Sequence, residues 1–138
     1  MSDRKVRYFE DLEVWQEARR LARLMREATA AASFRRDLSM SDQMRRAALS
    51  VMSNIAEGFE SGSDAEFARY VSLAKASCGE LRSLLYHGLD VGLLPQKDFD
   101  AAKIHCEKVS KMLWALMRYL RSSATAPVAT RKRKHDEA

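Results

Sequence analysis

Along the first quarter of the chain, apolar positions recur at a spacing that alternates four and three: Val14, Ala18, Leu21, Met25, Ala28 and Ala32. At about 100° of rotation per residue, all six fall on one stripe of a helix running from about Asp11 to Ala32. Glu13, Gln16, Arg20, Arg23 and Glu27 fall on the opposite face. The segment SFRRDLSMSD breaks the pattern and reads as a connection. Ser39 or Ser41 is available to cap the next helix by accepting a bond from a free backbone N–H. Met44, Ala48, Val51, Ile55 and Phe59 then form a second stripe, predicting a helix over 41–58. Gly58 is placed to end or loosen that helix, and Gly62 lies beyond it.

Ser63-Asp64-Ala65-Glu66 is a capping box, in which Ser63 and Glu66 can satisfy each other's free N–H groups. It predicts the start of a third helix over 64–90. That helix has a nearly uninterrupted seam of Phe67, Tyr70, Val71, Ala74, Cys78, Leu81, Leu85 and Leu89. In VGLLPQKD, Gly92 suits a helix end and Pro95 the first turn of the next helix. The fourth helix is predicted over 95–121, with Ala102, Cys106, Val109, Leu113, Leu116 and Leu120 inward. Periodicity is lost in SSATAPVATRKRKHDEA, which reads as a disordered tail.

These elements predict an all-α protein. The expected architecture is an antiparallel up-and-down four-helix bundle over residues 11–122, with an N-terminal extension (1–10) and a disordered basic tail (123–138). Composition agrees. A chain of 138 residues suits one domain, and only 5 Gly and 2 Pro leave little room for turns. No apolar run approaches the roughly 20 residues that cross a bilayer. MSDRKVRYFEDLEVW lacks a signal-peptide pattern, so a cytoplasmic location is expected. Cys78 and Cys106 read as small core residues of a reduced protein.

The net charge is +5. The excess lies wholly after residue 100, because the residues before it are close to neutral. Lys103, Lys108, Lys111, Arg118 and Arg121 fall within about 140° of arc on the fourth helix, opposite its apolar seam, with Trp114 among them. One reading is a solvated border around a partly buried Trp. The other is a nucleic-acid-binding stripe. There the cations neutralise phosphates and release counterions, while Trp114 stacks on an unpaired base. Arg131, Lys132, Arg133 and Lys134 in the tail could add nonspecific attraction to the same polyanion.

A second polar set lies on helix two. Gln43, Ser50, Asn54 and Glu57 fall within about 60° of one another, beside the apolar stripe. Ser77 and Glu80 form a similar edge on helix three. The favoured reading is a hydrogen-bonding stripe that sets helix register or touches another subunit. Glu57 and Glu80 could in principle act as an acid–base pair, but no nucleophile, phosphate loop or His partner accompanies them. Cys78, His87, His105 and Cys106 lack the close Cys pairs of structural zinc sites. No enzyme activity, metal or other cofactor is therefore expected. Phe9 and Trp15, with Tyr8 nearby, are expected to cap the bundle end or meet a neighbouring subunit.

FEDLEVWQEA (9–18), DQMRRAALSVMSNIAEG (42–58) and EFARYVSLAKASCGELRSLL (66–85), together with the helix-four pattern, bring a resemblance into view. Over about residues 8–122 the chain resembles the four-helix bundle family named for a protein encoded in intervening sequences of bacterial 23S rRNA genes. The resemblance implies an up-and-down bundle and a ring-shaped homopentamer. It also implies kinship with accessory proteins of diversity-generating retroelements, which bind nucleic acid and a reverse transcriptase. The chain departs from the family pattern at Phe34-Arg35, where a Phe-Pro pair is usual, and this predicts a looser turn. The resulting expectation is a non-enzymatic, oligomeric accessory protein that binds nucleic acid, RNA above all, through the basic face of helix four. The alternative is a protein-interaction scaffold with no nucleic-acid role.

Overall fold

The structure is a computed structural model that describes residues 6–125, and for 124 and 125 the backbone alone. Four helices account for most of it: α1 (Glu13–Thr29), α2 (Leu38–Glu60), α3 (Asp64–Asp90) and α4 (Gln96–Thr125). Two short 3-10 turns, Phe9–Asp11 and Ala32–Arg36, precede α1 and join it to α2. Each helix packs on its neighbours in sequence, and α1 closes the ring against α4. Short connections after α2 and α3 force antiparallel neighbours, so the chain runs up and down around one core. The tail residues Arg131, Lys132, Arg133 and Lys134 and the first five residues of the N-terminal extension lie outside the described residues.

The apolar stripes meet in the middle. Leu21, Met25, Met44, Val51, Ile55, Phe67, Leu81, Leu85, Leu113 and Leu120 are almost wholly shielded from solvent. Each such side chain contributes roughly 1.5–3 kcal/mol by leaving water. On α4 the inward position expected for Leu116 belongs to Met117, which is buried while Leu116 is half-buried. The inner row is thus 102, 106, 109, 113, 117 and 120, the narrower 3.5-residue seam of a shallow crossing.

The α1–α2 connection differs most from expectation. α1 stops at Thr29, short of the expected end at Ala32, which instead opens the 3-10 turn. An alanine offers little area, whereas the turn buries Phe34 to 1% exposure. Ser33 Oγ donates to the Leu93 carbonyl at 2.7 Å, and Arg36 donates to the Gly92 carbonyl at 2.9 Å. The turn is thereby fastened to the α3–α4 connection at the same end of the bundle, and the absent proline does not leave it loose. Gly92 lies at φ 77°, and the Leu93 N–H reaches the Gly88 carbonyl at 2.8 Å, so α3 ends in a Schellman-type cap. Asp37, rather than Ser39 or Ser41, caps α2 by accepting from the Met40 N–H at 3.0 Å, and the helix begins earlier than its serines suggest.

The Ser63 hydroxyl caps α3 as the capping box requires, accepting from the Glu66 N–H at 3.1 Å. The Glu66 carboxylate is taken instead by Arg69, at 2.7 and 2.9 Å. Gly58 does not end α2. It sits inside the helix, where an added Cβ would come within 2.7 Å of both Phe67 Cδ1 and Tyr70 Cβ. Tyr70 Cβ is fixed to the α3 backbone and cannot swing aside, so Gly58 permits close approach of α2 and α3.

Gly58→Ala is expected to destabilise the protein by about 1–3 kcal/mol, because it wedges the two helices apart. Gly79→Ala, whose new Cβ meets nothing within 4 Å, should stabilise α3 by about 0.5–1 kcal/mol. Urea unfolding of the two variants should therefore shift in opposite directions. A shift of the same sign for both would contradict the close-approach account.

Candidate nucleic-acid interface

The inner row of α4 dictates what its outer surface presents. With 102, 106, 109, 113, 117 and 120 turned to the core, Lys111, Trp114, Arg118 and Arg121 are left exposed. Trp114 is 48% exposed, and the Arg118 guanidinium carbon lies 6.0 Å from its ring centroid. Lys111, Arg118 and Arg121 form no ion pair among the described residues.

The other two cations of the stripe are committed. Lys103 lies 3.7 Å from Glu107 one turn along, with a side chain only 31% exposed. Lys108 reaches across to α1, with its ammonium 3.2 Å from Glu17. The row expected from the wheel is therefore outward, but only its second half is unpaired.

Glu17 is the residue that the wheel reading of α1 left out. It is 8% exposed, at the seam between α1 and α4. Its carboxylate meets Arg20, Lys108 and His105, the last at 3.3 Å. The His105 Nε2 also lies 2.9 Å from the Glu17 backbone carbonyl. Because a carbonyl only accepts, Nε2 carries a proton. A signal was present in sequence: Glu17 stands three after Val14 and four before Leu21, a charged residue on the edge of an apolar stripe. Burial pushes its carboxyl up, but the Lys108 ammonium and the Arg20 guanidinium outweigh this and hold it below the usual value of 4.5.

The polar residues of α2 and α3 divide. Ser50 Oγ and Ser77 Oγ are 2.9 Å apart across the α2–α3 seam. Asn54 Nδ2 donates to the Ser50 carbonyl at 2.8 Å and to Ser50 Oγ at 3.0 Å. These three half-buried residues form a strap on the α2–α3 seam and line the floor of a shallow surface groove. Glu57 and Glu80 are exposed, and Glu80 borders that groove with Leu73 and Ala76. Gln43 is also exposed, and its amide donates to Ser39 Oγ at 3.3 Å.

Cys78 and Cys106 are buried free thiols, and desolvation pushes each up to about 12. His87 is exposed, and His105 is turned to Glu17. Among the described residues no group of three or more His, Cys, Asp or Glu is placed to hold a metal ion. None of the described helices is long and apolar enough to cross a membrane. Phe9 and Trp15 stack edge to face at 5.1 Å, beside the start of α1.

The family model for the 23S rRNA-intervening sequence protein matches residues 10–115. Among solved structures, a protein of unknown function from the S23 ribosomal protein family of Bacteroides thetaiotaomicron superposes with a TM-score of 0.70. It is 18% identical, and the match covers 76% of this chain and 95% of that one. At that identity the likeness speaks for the fold. No curated protein matches the sequence significantly.

Because the Glu17 carboxyl is held low, it contributes stability that is fully present above pH 4.5 and is lost as pH falls through its folded value. Glu17→Gln should lower stability by about 1 kcal/mol at neutral pH. The gap between the two proteins should then close in acid. Urea midpoints of both proteins from pH 7 to pH 3 check this, and a gap that widens in acid would refute it.

Proposed function

This chain belongs to the family of 23S rRNA-intervening sequence proteins, and we propose from that membership and the α4 surface that it is a non-enzymatic, RNA-binding accessory protein of the cytosol. The observation that carries this reading is the outward row of Lys111, Arg118 and Arg121, unpaired among the described residues, with Trp114 half in solvent between them. Cations free of carboxylate partners can neutralise phosphates without first breaking an ion pair. An aromatic face beside them accepts an unpaired base, and stacking of this kind is tolerant of sequence. The row has no acid, nucleophile or metal group within it, which suits binding rather than catalysis.

The reading includes self-assembly as a homopentamer, which would repeat the row around a ring and multiply its field. A ribonucleoprotein component, a reverse transcriptase among them, is the partner class that goes with it. A second reading, a protein-interaction scaffold, is favoured by Ile104 at 68% and Tyr119 at 50% exposure on the same helix. Exposed apolar side chains of that size suit a protein partner.

Filter binding of a single-stranded RNA oligonucleotide, titrated against salt, separates the two. Affinity should fall as salt rises, with a slope of about 0.7 per phosphate neutralised. Replacing Lys111, Arg118 and Arg121 together by Glu should flatten that slope by about 2 and leave the mass by light scattering unchanged. A variant that changes its mass while its RNA affinity stays intact would favour the scaffold.

A further inference from the structure

α1 holds a basic surface that the charge asymmetry of the sequence conceals. Arg19, Arg20, Arg23 and Arg26 fall within about 120° of arc on its outer side. Arg19, Arg20 and Arg23 line a surface concavity together with Trp15, Gln16 and Glu10. Arg19, Arg23 and Arg26 are exposed and form no ion pair among the described residues. Arg19 and Arg23, one turn apart, stand about 6 Å from each other along the helix axis. Glu13, Glu17 and Glu27 are the carboxylates of the same helix: Glu17 holds Arg20, and Glu13 and Glu27 fall on the Arg20 side of the arc, away from Arg19 and Trp15.

Two further observations give the surface a chemistry. Trp15 is held edge to face by Phe9 at 5.1 Å, and the Arg19 guanidinium carbon lies 5.7 Å from its ring centroid. The chain has 2 Trp. Each stands beside an unpaired arginine, Trp15 with Arg19 on α1 and Trp114 with Arg118 on α4. A planar aromatic beside a guanidinium offers one nucleotide both a stacking face and a phosphate partner.

Glu17 then joins the two helices electrically. Its carboxylate holds Arg20 of α1 and Lys108 of α4 at once, so cations flank the seam from both sides. α1 and α4 are neighbours in the ring.

We propose that Arg19 and Arg23, with Trp15, form a second phosphate-binding strip on the outer side of α1, and that one single-stranded nucleic-acid chain passes from it to the α4 row across the α1–α4 seam. This rests on the nucleic-acid reading of α4, and the experiment separates the two. A single-stranded oligouridylate is titrated by filter binding over a salt series against four full-length proteins. These are the wild type, Arg19→Gln with Arg23→Gln, Trp15→Leu, and the α4 triple variant. Both arginines are exposed and unpaired, so their replacement should leave thermal unfolding unchanged.

The α1 double variant should flatten the salt slope by about 1.4, two single-strand contacts at about 0.7 each, and weaken binding at low salt by at least tenfold. Trp15→Leu should weaken binding while leaving the slope as it is, because stacking neutralises no phosphate. If the α1 double variant binds with the wild-type slope while the α4 variant does not, the α1 strip is refuted and the α4 reading stands. If the wild type itself shows no salt-dependent binding, both fall. A duplex that binds as tightly as the single strand, with Trp15→Leu without effect, would overturn the stacking role assigned to Trp15.

Discussion

The closure of α1 onto α4 is the constraint on which the other surfaces depend. It is the sparsest of the four helix–helix contacts, and a nearly buried carboxylate lies in it. Glu17 is tolerated there because three donors surround it: Arg20 from its own helix, and His105 and Lys108 from α4. The His105 bond to the Glu17 backbone carbonyl adds a link that does not depend on the carboxylate's charge. Together these contacts fix how α4 is rotated against α1. That rotation determines which cations point to solvent and which are spent inside the seam.

The opposite side of the bundle is held differently. α2 and α3 approach so closely at Gly58 that even one methyl group would collide with Phe67 and Tyr70. Close packing of this kind has one good register, and the Ser50–Ser77 bond, backed by Asn54, marks it with polar groups that must meet. A shift by one residue would break the Ser50–Ser77 bond, while Asn54, bonded to Ser50 within α2, holds the Ser50 hydroxyl in place to meet its partner. Glu57 stands one turn beyond Asn54 yet points outward, since the strap needs only side chains short enough to remain in the seam.

At the end of the bundle where α1 meets α2, two connections support each other. Ser33 and Arg36 bond to the carbonyls of Leu93 and Gly92, and Phe34 seals the core beneath them. The turn at Phe34-Arg35 thus needs no proline. The turn is held by tertiary bonds rather than by a fixed backbone angle. The same bonds fix the position of the exposed Arg36 guanidinium.

Much of this was legible in the sequence. Periodic stripes predicted four helices and most of the buried side chains, because a helix that must bury one face repeats its apolar residues at a fixed angle. Ser63 and Gly92 marked their helix ends by local chemistry alone, since caps are satisfied within a few residues. What required the tertiary structure were features set by partners far away in sequence. Glu17 became a seam residue only because α4 brings His105 and Lys108 to it, and this also removed Lys108 from the free row. Gly58 turned out to mark a close approach rather than a helix end, because α3 lies against it. Phe34 ended α1 early because a core was there to receive it, and Met117 displaced Leu116 because the seam follows the supercoil rather than an ideal wheel. Residue spacing within one helix determines which side is apolar. Which polar residues are left free for function depends on what the neighbouring helix brings opposite them.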